Sequence, residues 1–177
     1  TRFKTIMSDF LIGSGIRLSS VVSYNHLGNN DGCNLQEDKC FQSKKISKAG
    51  VLEDAVEHLK TRNAFGGPIG RFQALQHYVA DIAMWQKQGE LMVHHTARLQ
   101  EEGVPNAVES AMVKTLCSEY ASKAADLGIS ILGGMGYSAE TDMQRYWRDS
   151  RLLRIGPVSN EMARNQIAES FGLPRSY

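Results

Sequence analysis

The sequence has no apolar run that approaches the length of a bilayer-crossing helix, and the apolar stretch in its N-terminal TRFKTIMSDFLIGSG is too short for a secretory h-region. No membrane span is therefore expected. Cysteine is scarce: Cys33, Cys40 and Cys117 are odd in number and form no CxxC pair. That argues against a disulfide framework or zinc finger and for a reducing compartment, the cytoplasm or the mitochondrial matrix. An excess of one charge is missing as well, since 20 Lys and Arg against 19 Asp and Glu leave a net charge of +1. No overall field favours nucleic acid or an anionic membrane, and any anionic ligand must be met locally. Gly-x-Ser-x-Gly, Ser/His/Asp and His-Glu-x-x-His arrangements are absent, and the GGPIG of Gly66 to Gly70 does not follow a strand as a phosphate-binding loop would. There is no internal repeat. Thr1 stands where an initiator methionine would, which predicts further sequence upstream.

What is present suits one compact domain: 177 residues, 42% of them hydrophobic and 22% charged. The first 44 residues, with NHLGNNDGCNLQEDKC, are rich in Asn, Asp and Gly and lack periodicity, so they read as an irregular or divergent segment. Residues 45–177 read as helices. Val51, Leu52, Ala55, Val56 and Leu59 form one apolar stripe, which stops at Phe65 to Gly67. Pro68 suits the first turn of a second helix, whose inward face carries Phe72, Leu75, Val79 and Ile82 and which runs toward Leu99 before Gly103 and Pro105. A third stripe through Val108, Met112, Leu116, Tyr120, Ala124 and Leu127 is expected to stop at Gly128. The following ISILGGMGY reads as a backbone-exposing loop, with Ser138 capping a short helix through Trp147 and Ser159 a last one toward Gly172. No strand can be placed. The fold class is all-α, an antiparallel up-and-down bundle.

Each candidate site has a plain structural reading. His94 and His95, with Glu90 a turn before, point in different directions on a helix and read as solvated residues rather than metal ligands. His26, Cys33 and Cys40 match no zinc spacing and read as loop residues and thiols. The glycines of LGGMGY fit either a tight turn or close approach by a ligand.

Four segments in order, DAVEHLKTRNAFGGPIGRFQALQHYVADIA, ISILGGMGY, RYWRDSRLLRI and SNEMARNQIAES, together resemble the C-terminal helical bundle of the acyl-CoA dehydrogenase family. The resemblance covers about the last three quarters of the chain and one of the family's three domains; the N-terminal helical and middle β-domains have no counterpart here. It implies FAD-dependent α,β-dehydrogenation of an acyl-CoA thioester, electrons passed to an electron-transferring flavoprotein, and a homo-oligomer, dimer or tetramer. In that chemistry a carboxylate takes a proton from Cα while hydride leaves Cβ for the flavin.

By the same resemblance, Arg62, Phe65 and Gln73 would reach the FAD of a neighbouring subunit, and Leu132, Gly133 and Gly134 would lie along it. Arg62 suits a pyrophosphate through its fixed, charged donors. Ser130 stands where the family usually has Gln, which removes one adenine-side contact. Ser159 and Glu161 match the family's Thr-x-Glu/Gln at a helix start, where phosphate or ribose can be met, and also read as a simple helix cap. Arg148 and Asp149 match a structural Arg-Asp pair. For the base, the position used by many members is Pro157, which cannot take a proton. Another branch places a glutamate twenty-six residues before the arginine that matches Arg62. Counting back lands on Gln36, and a slip of one residue makes Glu37 the base, against its alternative as a surface glutamate. The other functions carried forward are a non-catalytic subunit or interaction domain and a related flavin-dependent oxidase or hydroxylase.

Overall fold

A computed structural model describes residues 48–156 and 158–175. Helix α1 spans Lys48–Thr61, strands β1 and β2 are Asn63–Ala64 and Gly67–Pro68, and a 3-10 turn occupies Ile69–Arg71. Helices α2 (Gln73–Glu101) and α3 (Ala107–Leu132) follow, then the single turn α4 (Gly134–Tyr137), α5 (Met143–Ile155) and α6 (Asn160–Glu169). The bundle expected from the apolar stripes is the observed architecture. In α1, Val51, Ala55 and Leu59 recur every four residues and are all buried, as a one-sided helix requires.

Helices α2 and α3 are antiparallel, because contacts descend along one as they ascend the other. Trp85 stacks on Tyr120 with ring centroids 5.8 Å apart, while Val93 clusters with Val113 and Cys117. Gly103, at φ 71°, and Pro105 separate the two helices as anticipated. Helix α3 is the hub, packing against α1, α2, α4, α5 and α6. Its stripe residues Met112, Leu116, Tyr120 and Leu127 are only half-buried. Of the stripe, Ala124 is buried, and Ala111, Ala121, Ala125 and Gly128 are buried outside it, because a helix surrounded by others needs small side chains where they approach.

Expectations in three regions are corrected. A small sheet exists: β1 and β2 pair antiparallel, Asn63 with Pro68 and Ala64 with Gly67. Phe65 and Gly66 at its tip both have positive φ, 53° and 85°, the pattern of a two-residue turn whose twist matches the strands. Pro68, at φ −59°, leads into the 3-10 turn instead of a helix, and α2 starts at Gln73. Second, α3 continues through Gly128. A Cβ there would lie 2.4 Å from Met143 Sδ and 3.1 Å from Val51 Cγ1, so this glycine serves close helix packing and not a cap. Third, ISILGGMGY is mostly helical: α3 runs to Leu132, breaks at Gly133 (φ 60°, ψ −136°), and α4 follows. Ser138 does not cap α5, which begins at Met143; its Oγ accepts from the Glu140 N–H at 3.1 Å.

The main core gathers Val51, Ala55, Leu59, Ile82, Ala124, Ala125, Ile131, Leu132, Met143 and Tyr146. It joins α1, the first half of α2, the second half of α3 and the start of α5. This fixes the end of the bundle that carries the hairpin and the Gly133 break.

Candidate cofactor-facing site

Arg62, immediately after α1, and Gln73, the first residue of α2, are both exposed. Between them the hairpin presents Phe65, 85% exposed and the only described non-glycine residue with positive φ. A bulky residue in the left-handed region costs on the order of 1 kcal/mol, and a ring left this exposed recovers little of it by burial. The conformation is held from outside the strands. The Arg71 guanidinium donates to the Phe65 carbonyl and sits 5.3 Å from the Phe72 ring centre, and Phe72 meets Phe65 edge-on at 6.0 Å. Arg71 was not anticipated as part of this group. Its signal was its place six residues after Phe65, within reach across a tight hairpin.

The antiparallel register of α2 and α3 brings Gln73 to the same end as Leu132. Leu132 is buried and Gly133 and Gly134 are exposed. A Cβ on either glycine would meet nothing within 4 Å among the described residues, so neither is required by packing against them. Gly133 is required by its backbone angle, and Gly134 leaves open surface beside it. Exposed Met135 and Tyr137 flank this break. Ser130 is turned back on its own helix, donating to the Asp126 carbonyl at 3.1 Å.

Ser159 and Glu161 lie elsewhere. Lys114 and Ser118 of α3 both donate to the Asn160 side-chain oxygen, which places the start of α6 at the middle of α3. From Ser118 to Leu132 is fourteen helical residues, about 21 Å. The candidate residues thus form two groups: Arg62, Phe65, Gln73 and Leu132 to Gly134 at one end, and Ser159 with Glu161 well along the bundle. Ser159 is the helix cap it was expected to be, its hydroxyl accepting from the Met162 N–H at 3.3 Å. The Glu161 backbone N–H and the Ser159 hydroxyl hold the Glu161 carboxyl below its usual range, so it is ionised at neutral pH. Near them Leu152, Ile155 and Met162 are exposed, an apolar surface at the junction of α5 and α6.

The buried polar group behind α6, Lys114, Thr115, Ser118 and Asn160, went unnoticed in the sequence, because all of these types are usually exposed and no spacing marks them as inward. His94 and His95 are exposed on α2, and among the described residues no group of three or more His, Cys, Asp and Glu is placed to hold a metal ion. Glu37 and Pro157, and the zinc candidates His26, Cys33 and Cys40, lie outside the described residues.

The family model described as "Acyl-CoA dehydrogenase, C-terminal domain" matches residues 46–172, and this chain belongs to the acyl-CoA dehydrogenase family. It is 39% identical over 136 residues to the mitochondrial short-chain specific acyl-CoA dehydrogenase of Mus musculus, covering 77% of this chain and 32% of that protein. Among solved structures it resembles butyryl-CoA dehydrogenase from Megasphaera elsdenii at a TM-score of 0.69 and 30% identity, over 71% of this chain and 33% of the other. It resembles an FAD complex of PigA at the same TM-score and 29% identity, with the same two coverages. The chain spans about a third of the length of the relatives it matches. Among the described residues no helix is long and apolar enough to cross a membrane.

Proposed function

We propose that this chain supplies the C-terminal helical domain of an FAD-dependent acyl-CoA dehydrogenase, which removes the α and β hydrogens of an acyl-CoA thioester and passes the electrons to an electron-transferring flavoprotein. The observation that carries this reading is Phe65, a bulky aromatic held in a strained conformation and left 85% exposed despite its edge contact with Phe72. Arg62 stands beside it as a donor for the pyrophosphate, and the open backbone at Gly133 and Gly134 admits the same cofactor. The distance along α3 to Ser159 and Glu161 supports two different cofactor contacts: the hairpin end facing the FAD of a neighbouring subunit, the α6 end its own. An ionised Glu161 beside the Ser159 cap suits a ribose hydroxyl better than a phosphate. When bound, FAD supplies the hydride acceptor; the chain's residues hold and orient it.

Exposed Met84 and Leu91, two turns apart on α2, support assembly of bundles into a homo-oligomer. Glu37 stays the proposed base, as the glutamate nearest the position that one branch of the family uses. Pro157 at the commoner base position favours a second reading, a non-catalytic subunit that keeps the cofactor contacts and lacks proton abstraction.

The test is a chimera in which this chain replaces the C-terminal domain of the mouse relative. The proposal expects yellow protein that retains flavin through gel filtration and is bleached anaerobically by a short-chain acyl-CoA. Retained flavin without bleaching would support the non-catalytic reading, and a folded, colourless chimera would contradict both. The chain alone should purify colourless, because its residues line only part of the cofactor.

A further inference from the structure

Helix α6 is attached to α3 with very little apolar packing. Its fully buried residues are one amide, Asn160, and one methyl, Ala163. The remaining ties are polar: Arg164 binds the Glu119 carboxylate, and the Gln166 side-chain amide donates to the Ala107 carbonyl at 3.3 Å. Ala163 with half-buried Ile167 and Ala168 marks the inward face of α6, but so little apolar surface, whose burial is non-directional, holds its rotation and start only loosely. A rotation by one residue turns the helix through about 100° and would carry Asn160 out of the interface.

The group at Asn160 has the directionality that the packing lacks. Asn160 is 0% exposed, and its oxygen receives two donors, the Lys114 ammonium and, at 3.0 Å, the Ser118 hydroxyl. Lys114 itself is 6% exposed. The Asn160 amide nitrogen is buried without a partner, as are Thr115 Oγ1 and Arg154 Nε. Flipping the amide would aim its N–H groups at an ammonium, donor against donor, so Lys114 fixes the orientation even though the amide's own N–H donors are left unsatisfied among the described residues. An ammonium buried at a cost, bonded to the first residue of a helix whose other inward residues are one methyl and a half-buried stretch from Asn165 to Glu169, is a device for specificity more than for stability.

We infer that Lys114 is a positioning residue: through Asn160 it sets the rotation and start of α6, and so the placement of Ser159 and Glu161, which flank Asn160 in the chain. The flanking pair cannot move independently of Asn160, since Ser159 caps the turn that Asn160 begins. Burial lowers the Lys114 pKa, a shift that Glu161 and Glu119 oppose and that Arg154 and Arg164 reinforce. The carboxylates around the ammonium thus include the proposed cofactor residue itself. The cofactor half of this inference rests on the function proposed above; the pinning of α6 does not.

Hydrogen exchange of Lys114→Met in this chain tests the pinning. The backbone amides of residues 162–166 should exchange about tenfold faster, whereas those around Ala55 and Ile82 in the main core should change less than about twofold, because a local opening differs from a global one in which amides it exposes. Unchanged exchange in α6, or equal acceleration across all helices, would overturn it. Ser118→Ala removes the smaller donor and should accelerate the same amides by about threefold; it decides the matter should Lys114→Met not fold, and an unaltered α6 in that variant would count against the inference. In the chimera, Lys114→Met should raise the FAD dissociation constant about tenfold and shift the bound flavin's visible spectrum. Fast exchange in α6 with unaltered FAD affinity and spectrum would leave α6 pinned by Lys114 and remove Ser159 and Glu161 from the cofactor site.

Discussion

From Ala121 to Leu132 every buried position of α3 is apolar or glycine, whereas from Ala111 to Ser118 half of the buried positions are polar: Lys114, Thr115 and Ser118 beside Ala111, Val113 and Cys117. The apolar half packs against α1, α2 and α5 through alanine methyls, Ile131, Leu132 and a glycine whose site has no room for a Cβ. The polar half receives α6 through a few hydrogen bonds and leaves buried donors and acceptors unmatched. The first half carries the main core; the second packs Val113 and Cys117 on Val93 of α2 and, through its polar group, aims a helix. Substitutions in the first should therefore act on global stability, and those in the polar group of the second on one element.

The largest effect is expected from Met143→Ala. Met143 is 0% exposed and fills the space above Gly128, and truncating such a side chain costs about 3 kcal/mol including the cavity left behind. Urea denaturation should show the midpoint lowered with one cooperative transition. A loss confined to α5 would break the distinction between the halves.

Asn160→Ala comes next, at about 2 kcal/mol, because the Lys114 ammonium loses its acceptor. Here the sign with pH is informative. Burial lowers the folded pKa of Lys114 below 10.5, so the unfavourable charge is present in full below the folded value and is relieved as pH rises through it. The stability gap between variant and parent should narrow at alkaline pH, measured by denaturation as pH is raised toward 10.5; a constant gap would separate Lys114 from Asn160 energetically.

Phe65→Asn sharpens the comparison from the hairpin. Asparagine tolerates positive φ, while the edge contact with Phe72 is lost, so the two changes offset to within about 0.5 kcal/mol. Thermal melts should barely move even though a phenyl ring is removed. A large destabilisation would mean that Phe65 serves the fold and not an external partner.

The smallest effect belongs to Glu119→Gln. Burial alone would raise the Glu119 carboxyl, but the Arg164 hydrogen bond and charge, with Arg154 and Lys123, outweigh it and hold the pKa below 4.5. A lowered carboxylate pKa stabilises above the unfolded value and loses that contribution as pH falls through the folded one. Circular dichroism on acidification below about pH 5 should show α6 loosening in the parent and a flatter acid limb in the variant. Identical acid limbs would remove the Glu119–Arg164 tie from the account.

The same contrast explains what could be read from the sequence. The spacing of Val51, Ala55 and Leu59, and the Gly103–Pro105 stop, express one-sided burial, which leaves a period in the sequence. Ser159 was legible because a cap acts within three residues. Gly128 was misread since its cause lies in Met143 and Val51, distant in sequence, and a glycine needed for packing looks the same as one needed for a cap. Lys114 and Asn160, forty-six residues apart, carry no local mark at all. The candidate site was legible only through family resemblance: Phe65 is an ordinary aromatic until its backbone angle is seen, and the two-group arrangement along α3 depends on a register that no single helix encodes.

The central claim, that the hairpin end faces FAD, is tested most directly by Arg62→Glu in the chimera, with FAD affinity measured by titration. A negative charge placed beside the pyrophosphate should weaken binding at least about tenfold at low salt and less at high salt, while the exposed position leaves the melting temperature and the assembly state intact. Unchanged FAD affinity in a folded Arg62→Glu chimera would contradict the account.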